Sequence, residues 1–373
     1  MTILAHKIRL YPNKKQETLF KKSCGVARFA YNWALDQREK QYKAGGKPTK
    51  GGIAKQLNSI KGTEFPWMYD VSKTVPQYAL ENLEIAYKGF FTKKSKYPKR
   101  KKKGRRDSFR ADDGTSKQNP NAVKVIKDKV KLPRIGWIKL AEPLRFQGRI
   151  ISAVVSRSAD KWFVSLPVDT EYKLQMKEDL GPVGIDLGII TLATLSTREE
   201  IEGPKAHSKK LKQLRRLNKS LSRKQKGSKN RAKAKTKLAR LHFKIANIRK
   251  DSLHKLTHKL ATNFSLIGIE DLNVSGMVKN RCLARSISDM GWGEFKRQLL
   301  YKAEMTGAKV VLADRFFPST KMCSSCCFIK EISLSERTFR CADCGLVIKR
   351  DLNSAINLRN YAVSFYRVSL WRG

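Results

Sequence analysis

The spacing of apolar residues changes along the chain, and each spacing predicts a different kind of secondary structure. From about residue 13 to 92, apolar side chains recur near every third or fourth position, as in TVPQYALENLEIAYKGFF, which is typical of amphipathic helices. Between about 120 and 172 the period falls to two, which predicts antiparallel strands joined by short turns. The opening ILAHKIRLY shares that period, so we expect a small β-barrel into which a helical segment is inserted.

Beyond residue 181 strand-like and helix-like stretches alternate, which predicts an α/β sheet. GPVGIDLGIITLATLS indicates a strand hairpin, FSLIGIEDLNV and AKVVLADR indicate strands, and WGEFKRQLLYKAEMTG indicates a helix ending near Gly307. A helical hairpin is predicted at 203–260, because apolar residues mark one helix face on each side of KGSKN. These residues are Leu211, Leu214, Leu217 and Leu221, then Leu238, Leu241, Ile245 and Ile248.

The net charge of the chain predicts a class of binding partner. The chain carries 79 lysines and arginines against 32 aspartates and glutamates, a formal net charge of +47. Such an excess implies a polyanionic partner, and nucleic acid fits best because the cations are spread along the whole chain. A membrane-surface protein would concentrate them on one amphipathic helix or tail. No apolar run approaches membrane-spanning length, so we expect a soluble, cytoplasmic protein without a membrane partner.

The densest cationic stretches are expected to hold nucleic-acid backbones. Residues 93–106 are nearly all basic and are interrupted by Pro98 and Gly104, so we expect a solvated loop that cannot pack. Residues 203–250 contain no aspartate or glutamate. The nucleic-acid-binding residues predicted in the two stretches are Lys101, Lys102, Lys103, Arg105, Arg106, Arg215, Arg216, Arg223 and Lys224.

Three acids stand out in so basic a chain, because they lie at the ends of apolar strands or at the start of a helix. Asp186 follows GPVGI, Glu270 follows SLIGI, and Asp351 opens DLNSAINLRN. Taken singly, Asp351 also fits a helix N-cap and Asp186 a turn residue. Together they form a set of hard oxygen ligands suited to phosphodiester hydrolysis with two divalent ions. We expect Mg²⁺, with Mn²⁺ as a substitute.

Five of the seven cysteines fall between residues 323 and 344, which favours a metal site over a disulfide framework. CSSC and CADC are two CxxC pairs separated by fourteen residues. This spacing predicts a structural Zn²⁺ site. The predicted ligands are Cys323, Cys326, Cys341 and Cys344. CSSCC also permits a pair shifted to Cys327, and buried cysteines without a metal are the other alternative.

With these motifs in this order, the chain resembles the TnpB family of transposon-encoded RNA-guided DNA endonucleases, which are related to the type V CRISPR effector nucleases. The likeness covers nearly the whole chain. It is carried by GIDLG, IGIEDLNV, SISDMGWGEF, the CSSC and CADCG pair and RDLNSAINL, with RLYPNKKQ and KLPRIGW in the N-terminal half. One departure is Lys349, which stands where the family often has an aspartate.

The resemblance implies a multidomain α/β fold. The implied domains are a wedge β-barrel at 1–12 and 107–180, a helical recognition domain inserted at 13–106, a RuvC-like nuclease domain of the RNase H fold at 181–317 and 351–373, and a zinc ribbon that binds target nucleic acid at 318–350.

The resemblance also implies an activity. Asp186, Glu270 and Asp351 would be the catalytic acids of a nuclease that binds a guide RNA from the transposon end and cleaves double-stranded DNA beside a short transposon-adjacent motif. Lys73 and Gln77 carry over as candidate readers of that motif, since lysine donates to guanine and glutamine pairs with adenine. Phosphate contact by these two residues is the alternative. A monomer with one RNA is favoured, in a prokaryotic cytoplasm and associated with the nucleoid when bound to DNA.

Two other functions are compatible with parts of the sequence. A nuclease-inactive, RNA-guided DNA-binding repressor of the same family would keep the fold, but the three acids argue against it. A non-catalytic zinc-ribbon RNA-binding protein would have no reason to space three acids in this way. A DDE transposase fits less well, because a cysteine knuckle separates the last strand from the final aspartate.

Overall fold

A computed structural model describes residues 2–112, 123–171, 180–333 and 335–371 of the chain. The chain separates into two units, Met1–Tyr172 and Lys173–Gly373. Among the described residues, no helix combines the length and the apolar character needed to cross a membrane.

The first unit is a sheet with helices inserted after its first strand. Its described elements are β1 (Thr2–Tyr11), α1 (Lys14–Lys43), α2 (Lys50–Ile60), a 3₁₀ helix at Pro66–Asp70, α3 (Thr74–Phe91), β2 (Ser108–Asp112), β3 (Lys124–Ile126), β4 (Lys129–Leu132), β5 (Gly136–Leu140), β6 (Arg149–Ile150), β7 (Ser152–Ser158) and β8 (Lys161–Thr170).

The strands of this unit pair antiparallel in the order β2-β7-β8-β1-β5-β4-β3, and β6 also pairs with β8. Alternate residues of β8 are buried, as the two-residue period predicted. KVIKDKVKLPRIGWIKL forms three strands in two hairpins, one strand more than expected. Because β2 and β3 end the order, the described strands do not close by hydrogen bonds, and the barrel stays a prediction.

The basic segment after α3 is exposed except at Pro98, as expected of a solvated loop, but the expectation that it cannot pack is wrong, because hydrogen bonds hold it to α1. Four side chains of α1, each about one turn from the next, contact four residues between positions 97 and 107. The pairs are Glu39 with Tyr97, Asp36 with Arg100, Asn32 with Lys101 and Arg28 with Asp107. Asn32 makes two hydrogen bonds to the backbone of Lys101. Its Nδ2 donates to the Lys101 oxygen at 3.0 Å, and its Oδ1 accepts from the Lys101 N–H at 2.8 Å. The cations between these contacts remain exposed.

The second unit is a mixed sheet covered by helices, with a small two-stranded ribbon near its C-terminal end. Its described elements are β9 (Pro182–Asp186), β10 (Ala193–Leu195), β11 (Glu200–Ile201), α4 (Ala206–Lys209), α5 (Leu211–Ser222), α6 (Lys229–Asn263), β12 (Leu266–Glu270), α7 (Val274–Met277), α8 (Ala284–Met290), α9 (Trp292–Thr306), β13 (Lys309–Ala313), β14 (Thr338–Arg340), β15 (Val347–Lys349) and α10 (Arg350–Trp371).

The main sheet of this unit has the order β11-β10-β9-β12-β13. Its hairpin strands β9, β10 and β11 pair antiparallel, whereas β9, β12 and β13 run parallel. The predicted α/β sheet is confirmed. Helix α9 ends before Gly307, which adopts a left-handed φ of +84°, as is common just past a helix end.

The predicted helical hairpin is present, but its second arm also belongs to the core of the unit. Leu214, Leu217, Leu238, Leu241 and Ile245 pack between α5 and α6. Helix α6 then continues without a break, and its C-terminal half packs against the sheet and α9. Helix α6 therefore joins the basic hairpin, without a linker, to the core that covers the sheet with two of the three acids.

Candidate functional site

The carboxyl ends of two parallel strands bring two of the predicted acids to one edge of the sheet. Asp186 is the last residue of β9 and Glu270 the last residue of β12. The strands pair with Ile185 opposite Ile269, so the two acids follow at the same level. This is the edge where open α/β sheets usually bind ligands.

Helix α10 brings the third acid to this edge because two glycines let it lie directly on the sheet. A Cβ on Gly184 would lie 1.9 Å from the carbonyl oxygen of Ala355, and one on Gly268 would lie 2.2 Å from that of Leu358. Each glycine precedes its acid by two residues, and residues two apart on a strand share one face. The pattern Gly-x-acid on both strands therefore makes room for the helix that carries Asp351.

A hydrogen bond joins the helix to the first acid. Ser354 Oγ donates to Asp186 Oδ1 at 3.0 Å, and both side chains are buried. Asp351 lies three residues before Ser354, on the same side of α10. Arg350 donates to Asp351 Oδ1 at 3.0 Å and to the backbone oxygen of Glu336.

The three acids act on one another electrostatically. Burial, together with the neighbouring carboxylates of Glu270 and Asp351, raises the pKa of Asp186 to about 7. Ser354 and Arg350 oppose this rise. A cluster of like charges around a buried carboxyl is stabilised by a bound cation, and oxygen donors from three separate elements suit Mg²⁺ or Mn²⁺.

The four predicted zinc ligands converge much more tightly than the acids. The sulfur atoms of Cys323, Cys326, Cys341 and Cys344 all lie within 4.8 Å of one another, and in the described part of the chain no other group of three or more potential ligands does so. Two of the Sγ–Sγ distances are 3.6 Å and 3.5 Å. In a tetrahedral site with Zn–S bonds of about 2.3 Å, the sulfurs lie about 3.8 Å apart. The cluster therefore fits Zn²⁺.

The two cysteine knuckles have equivalent backbone turns, which settles the ambiguity of CSSCC. The N–H of Cys323 donates to the oxygen of Phe328, and the N–H of Cys341 donates to that of Leu346, both at 2.8 Å. Cys327 then corresponds to Gly345, and both have left-handed φ angles, +63° and +71°. Cys327 occupies a turn position and is not one of the clustered thiols.

Buried amides of α10 connect the cysteine ribbon to the acids, a link that the sequence prediction missed. Asn353 accepts from the N–H of Ser324 at 2.9 Å, and Asn357 donates to the oxygens of Ser319 and Met322 at 2.8 and 2.7 Å. Ser319 Oγ in turn donates to Glu270. The sequence RDLNSAINL contains one indication of this link. Its two asparagines are four residues apart, which places both on one helix face.

Lys349, where the sequence departs from the family pattern, forms an ion pair. Lys349 Nζ lies 2.7 Å from Glu200 Oε1, and so joins β15 of the ribbon to β11 of the main sheet. Both side chains are largely exposed, so the pair contributes little to stability.

The predicted nucleic-acid-binding residues lie on two elements of the first unit and on one element of the second. Lys73 and Gln77 are exposed and four residues apart at the start of α3, so they share one helix face. Lys102, Lys103, Arg105 and Arg106 are exposed between the contacts that hold their segment to α1. In the second unit, Arg215, Arg216 and Arg223 are exposed along α5 and at its end, whereas Lys224 is half-buried. Lys101 lies over the ring of Tyr31, 4.0 Å from its centroid.

Comparison with known proteins decides the family. The "Putative RNA-guided DNA endonuclease InsQ" of Escherichia coli (strain K12) is 36% identical over 372 residues, covering 95% of this chain and 91% of that protein. The chain belongs to the TnpB family of RNA-guided DNA endonucleases. The "TnpB-like protein L770" of Acanthamoeba polyphaga mimivirus is 24% identical over 59% of this chain and 45% of its own.

Family models match three parts of this TnpB protein. "Probable transposase" (IS605 OrfB) matches residues 165–281, "Cas12f1-like, TNB domain" matches 292–358, and "Helix-turn-helix domain" matches 1–47. Within 2–47 the described chain forms one strand, β1, and one long helix, α1, so the last name does not describe this structure.

The fold also resembles that of a solved effector complex. In the structure entitled "Cryo-EM structure of the Cas12f1-sgRNA-target DNA complex", the protein superposes with a TM-score of 0.59 over 93% of this chain and 83% of its own, at 15% identity. This TnpB protein therefore has a Cas12-like α/β fold with a cysteine ribbon in the region of the TNB match.

Proposed function

We propose that this TnpB protein cleaves double-stranded DNA by metal-dependent hydrolysis at Asp186, Glu270 and Asp351. The observation that carries the proposal is the approach of these acids at one sheet edge, where burial and the two other carboxylates raise the pKa of Asp186. Structural carboxylates in a chain of net charge +47 would be expected to pair with cations, yet Asp186 accepts from a serine.

The residues of the site have distinct roles in this proposal. Asp186, Glu270 and Asp351 would hold two Mg²⁺ ions, which lower the pKa of a bound water and stabilise the charge on the leaving oxygen. Ser354 orients Asp186, and Ser319 orients Glu270. Arg350 neutralises part of the charge of Asp351. Mn²⁺ would substitute, because it accepts the same oxygen ligands.

Sequence specificity would come from RNA. The relatives are named RNA-guided endonucleases, and the effector with the similar fold was solved with guide RNA and target DNA. In this mode base pairing reads the target, while protein residues read a short flanking motif. We assign that reading to Lys73 and Gln77, and the holding of RNA and DNA backbones to the basic segment 93–106 and the hairpin 203–260.

The domain roles follow from the same proposal. The first unit would be the wedge and recognition part, the sheet of the second unit the RuvC-like nuclease of the RNase H fold, and the zinc ribbon a contact to target DNA. One RNA would bind one monomer, in the cytoplasm and on the nucleoid of a prokaryote.

The proposal is tested by purifying the protein with its bound RNA, sequencing that RNA and replacing its guide segment. Cleavage is expected to move to DNA that matches the new segment and carries the flanking motif. Equal cutting of all DNA by RNA-free protein would contradict guidance. Guided binding with no cutting in Mg²⁺ or Mn²⁺ would favour a repressor, and RNA binding without any DNA binding would favour a ribbon RNA-binding protein.

A further inference from the structure

The ring of Phe316 is the most exposed large hydrophobic side chain in the described part of the chain. It is 88% exposed, and the next such side chain, Tyr42, is 75% exposed. Single exposed hydrophobic residues are common and need no explanation by themselves. Two further features, the position of Phe316 and the contacts that hold its loop, indicate that its exposure is functional.

The loop that carries Phe316 starts and ends at the acidic site. Ala313, the last residue of β13, pairs with Glu270 in the sheet. Phe316 follows three residues later, at most about 11 Å of extended chain away. Ser319, three residues further on, returns to donate to Glu270. The ring is thus presented next to the edge where the three acids meet.

The loop is held on both sides of Phe316. The N–H of Phe316 donates to Asp314 Oδ1 at 2.8 Å, and the N–H of Phe317 donates to the backbone oxygen of the same residue at 3.0 Å. Phe317 turns inward, and its ring lies 4.6 Å from that of Tyr361 on α10. Arg315 lies 3.7 Å from Asp271.

Only Phe316, among the three residues after Asp314, leaves its side chain without such a contact in the described structure. Packing of its ring would remove apolar surface from water and stabilise the fold. Its flanking residues make such contacts, so the loop is ordered while the ring stays outside. An ordered loop that displays one aromatic face beside a phosphodiester-cleaving site suits a nucleobase, because every base offers a flat π-face.

We propose that Phe316 is a stacking platform for an unpaired base of the DNA strand that enters the site of Asp186, Glu270 and Asp351. This proposal rests on the proposed function, because it assigns the strand to that site. A protein partner would be expected to cover a contiguous apolar patch, whereas the loop neighbours of Phe316 are turned inward or charged. Stacking requires only the ring, and tolerates any base sequence.

The test uses short single-stranded DNA that carries the fluorescent base 2-aminopurine at one position, which is varied along the strand. The full chain is mixed with each strand in buffer without added divalent ions, so that no strand is cut. With the native protein, 2-aminopurine fluorescence is expected to be quenched at one or a few positions. Phe316→Tyr keeps the ring and should keep the quenching, whereas Phe316→Leu keeps apolar bulk and should lose it at those positions.

Affinity gives a second readout. Loss of one base–aromatic stack should weaken binding of the strand by about fivefold or more, with an unchanged salt dependence because no phosphate contact is removed. Equal quenching and affinity for the Leu and Tyr variants would overturn the proposal. A change in sedimentation of the Leu variant with no change in quenching would do so as well, because it would assign the ring to self-association. Neither readout depends on cleavage, so a failure here is distinct from a failure of the proposed nuclease.

Discussion

The cysteine cluster of the ribbon and the acidic site each bring candidate metal ligands together, but they do so in different ways. The four cysteines come from two short turns within 22 residues, and their sulfurs converge within 4.8 Å. The three acids come from two strands and a helix that span 166 positions of the chain, from 186 to 351. The ribbon is therefore determined by local spacing, whereas the acidic site depends on how closely α10 packs on the sheet.

This difference explains which parts of the molecule could be predicted from the sequence. CxxC spacing dictates where two thiolates point, so all four cysteines of the cluster were predicted. The long strands and helices followed from apolar periods, whereas the additional strand within 124–140 and short elements such as α7 and α8 did not. The sequence shows Gly184 and Gly268 only as glycines two residues before an acid. Nothing in it predicts that α10 packs against them. The attachment of 97–107 to α1 was missed because its partners lie 58 to 79 positions away.

The largest expected effect is on the ribbon. Intact protein should contain about one zinc ion, and Cys341→Ser should lower the zinc content and unfold the ribbon, because metal binding supplies most of the folding free energy of so small an element. Elemental analysis and limited proteolysis would measure both changes. Cys282→Ser is the matched control, since Cys282 is an exposed cysteine outside the cluster. Intact protein without zinc would show that the ligand assignment is wrong.

Gly184→Ala should damage the acidic site without touching a ligand. The new Cβ would lie 1.9 Å from a backbone oxygen of α10, so the helix must shift, and we expect a loss of about 3 kcal/mol in the free energy of unfolding. Cleavage should fall by about a hundredfold or more, because the helix carries Asp351. A Cβ on Gly181 meets nothing within 4 Å, which makes Gly181→Ala the control. Equal denaturation midpoints and cleavage rates for the two variants would refute the packing argument.

Asn357→Ala should test the link between the two regions. The buried backbone oxygen of Ser319 would lose this donor, at about 2 kcal/mol in stability, whereas that of Met322 would still accept from Asn353. Because Ser319 also donates to Glu270, cleavage should fall by about tenfold while zinc content stays unchanged. Asn360→Ala, on the exposed side of the same helix, should leave both unchanged. Loss of zinc from the Asn357 variant would contradict this, because it would show that Asn357 stabilises the cysteine knuckle and not the acidic site.

The smallest effect is expected at Cys327, whose left-handed φ of +63° corresponds to that of Gly345 in the other knuckle. Cys327→Gly should keep the zinc and raise the stability of the ribbon by about 1 kcal/mol, because glycine adopts this conformation without strain. Thermal unfolding with zinc quantification would measure it. Zinc loss in this variant would make Cys327 a ligand after all.

The central claim is that Asp186, Glu270 and Asp351 form one metal site that cuts guided DNA. The most direct test is the cleavage rate, in Mg²⁺ and with the copurified RNA carrying a chosen guide, of the three single Ala variants and of Asp186→Ala combined with Asp351→Ala. Each single change should lower the rate by about a thousandfold or more and leave guided DNA binding nearly intact. The double change should add little, because residues of one site act as a unit. Robust cleavage by any single variant, or losses that multiply in the double variant, would contradict the account.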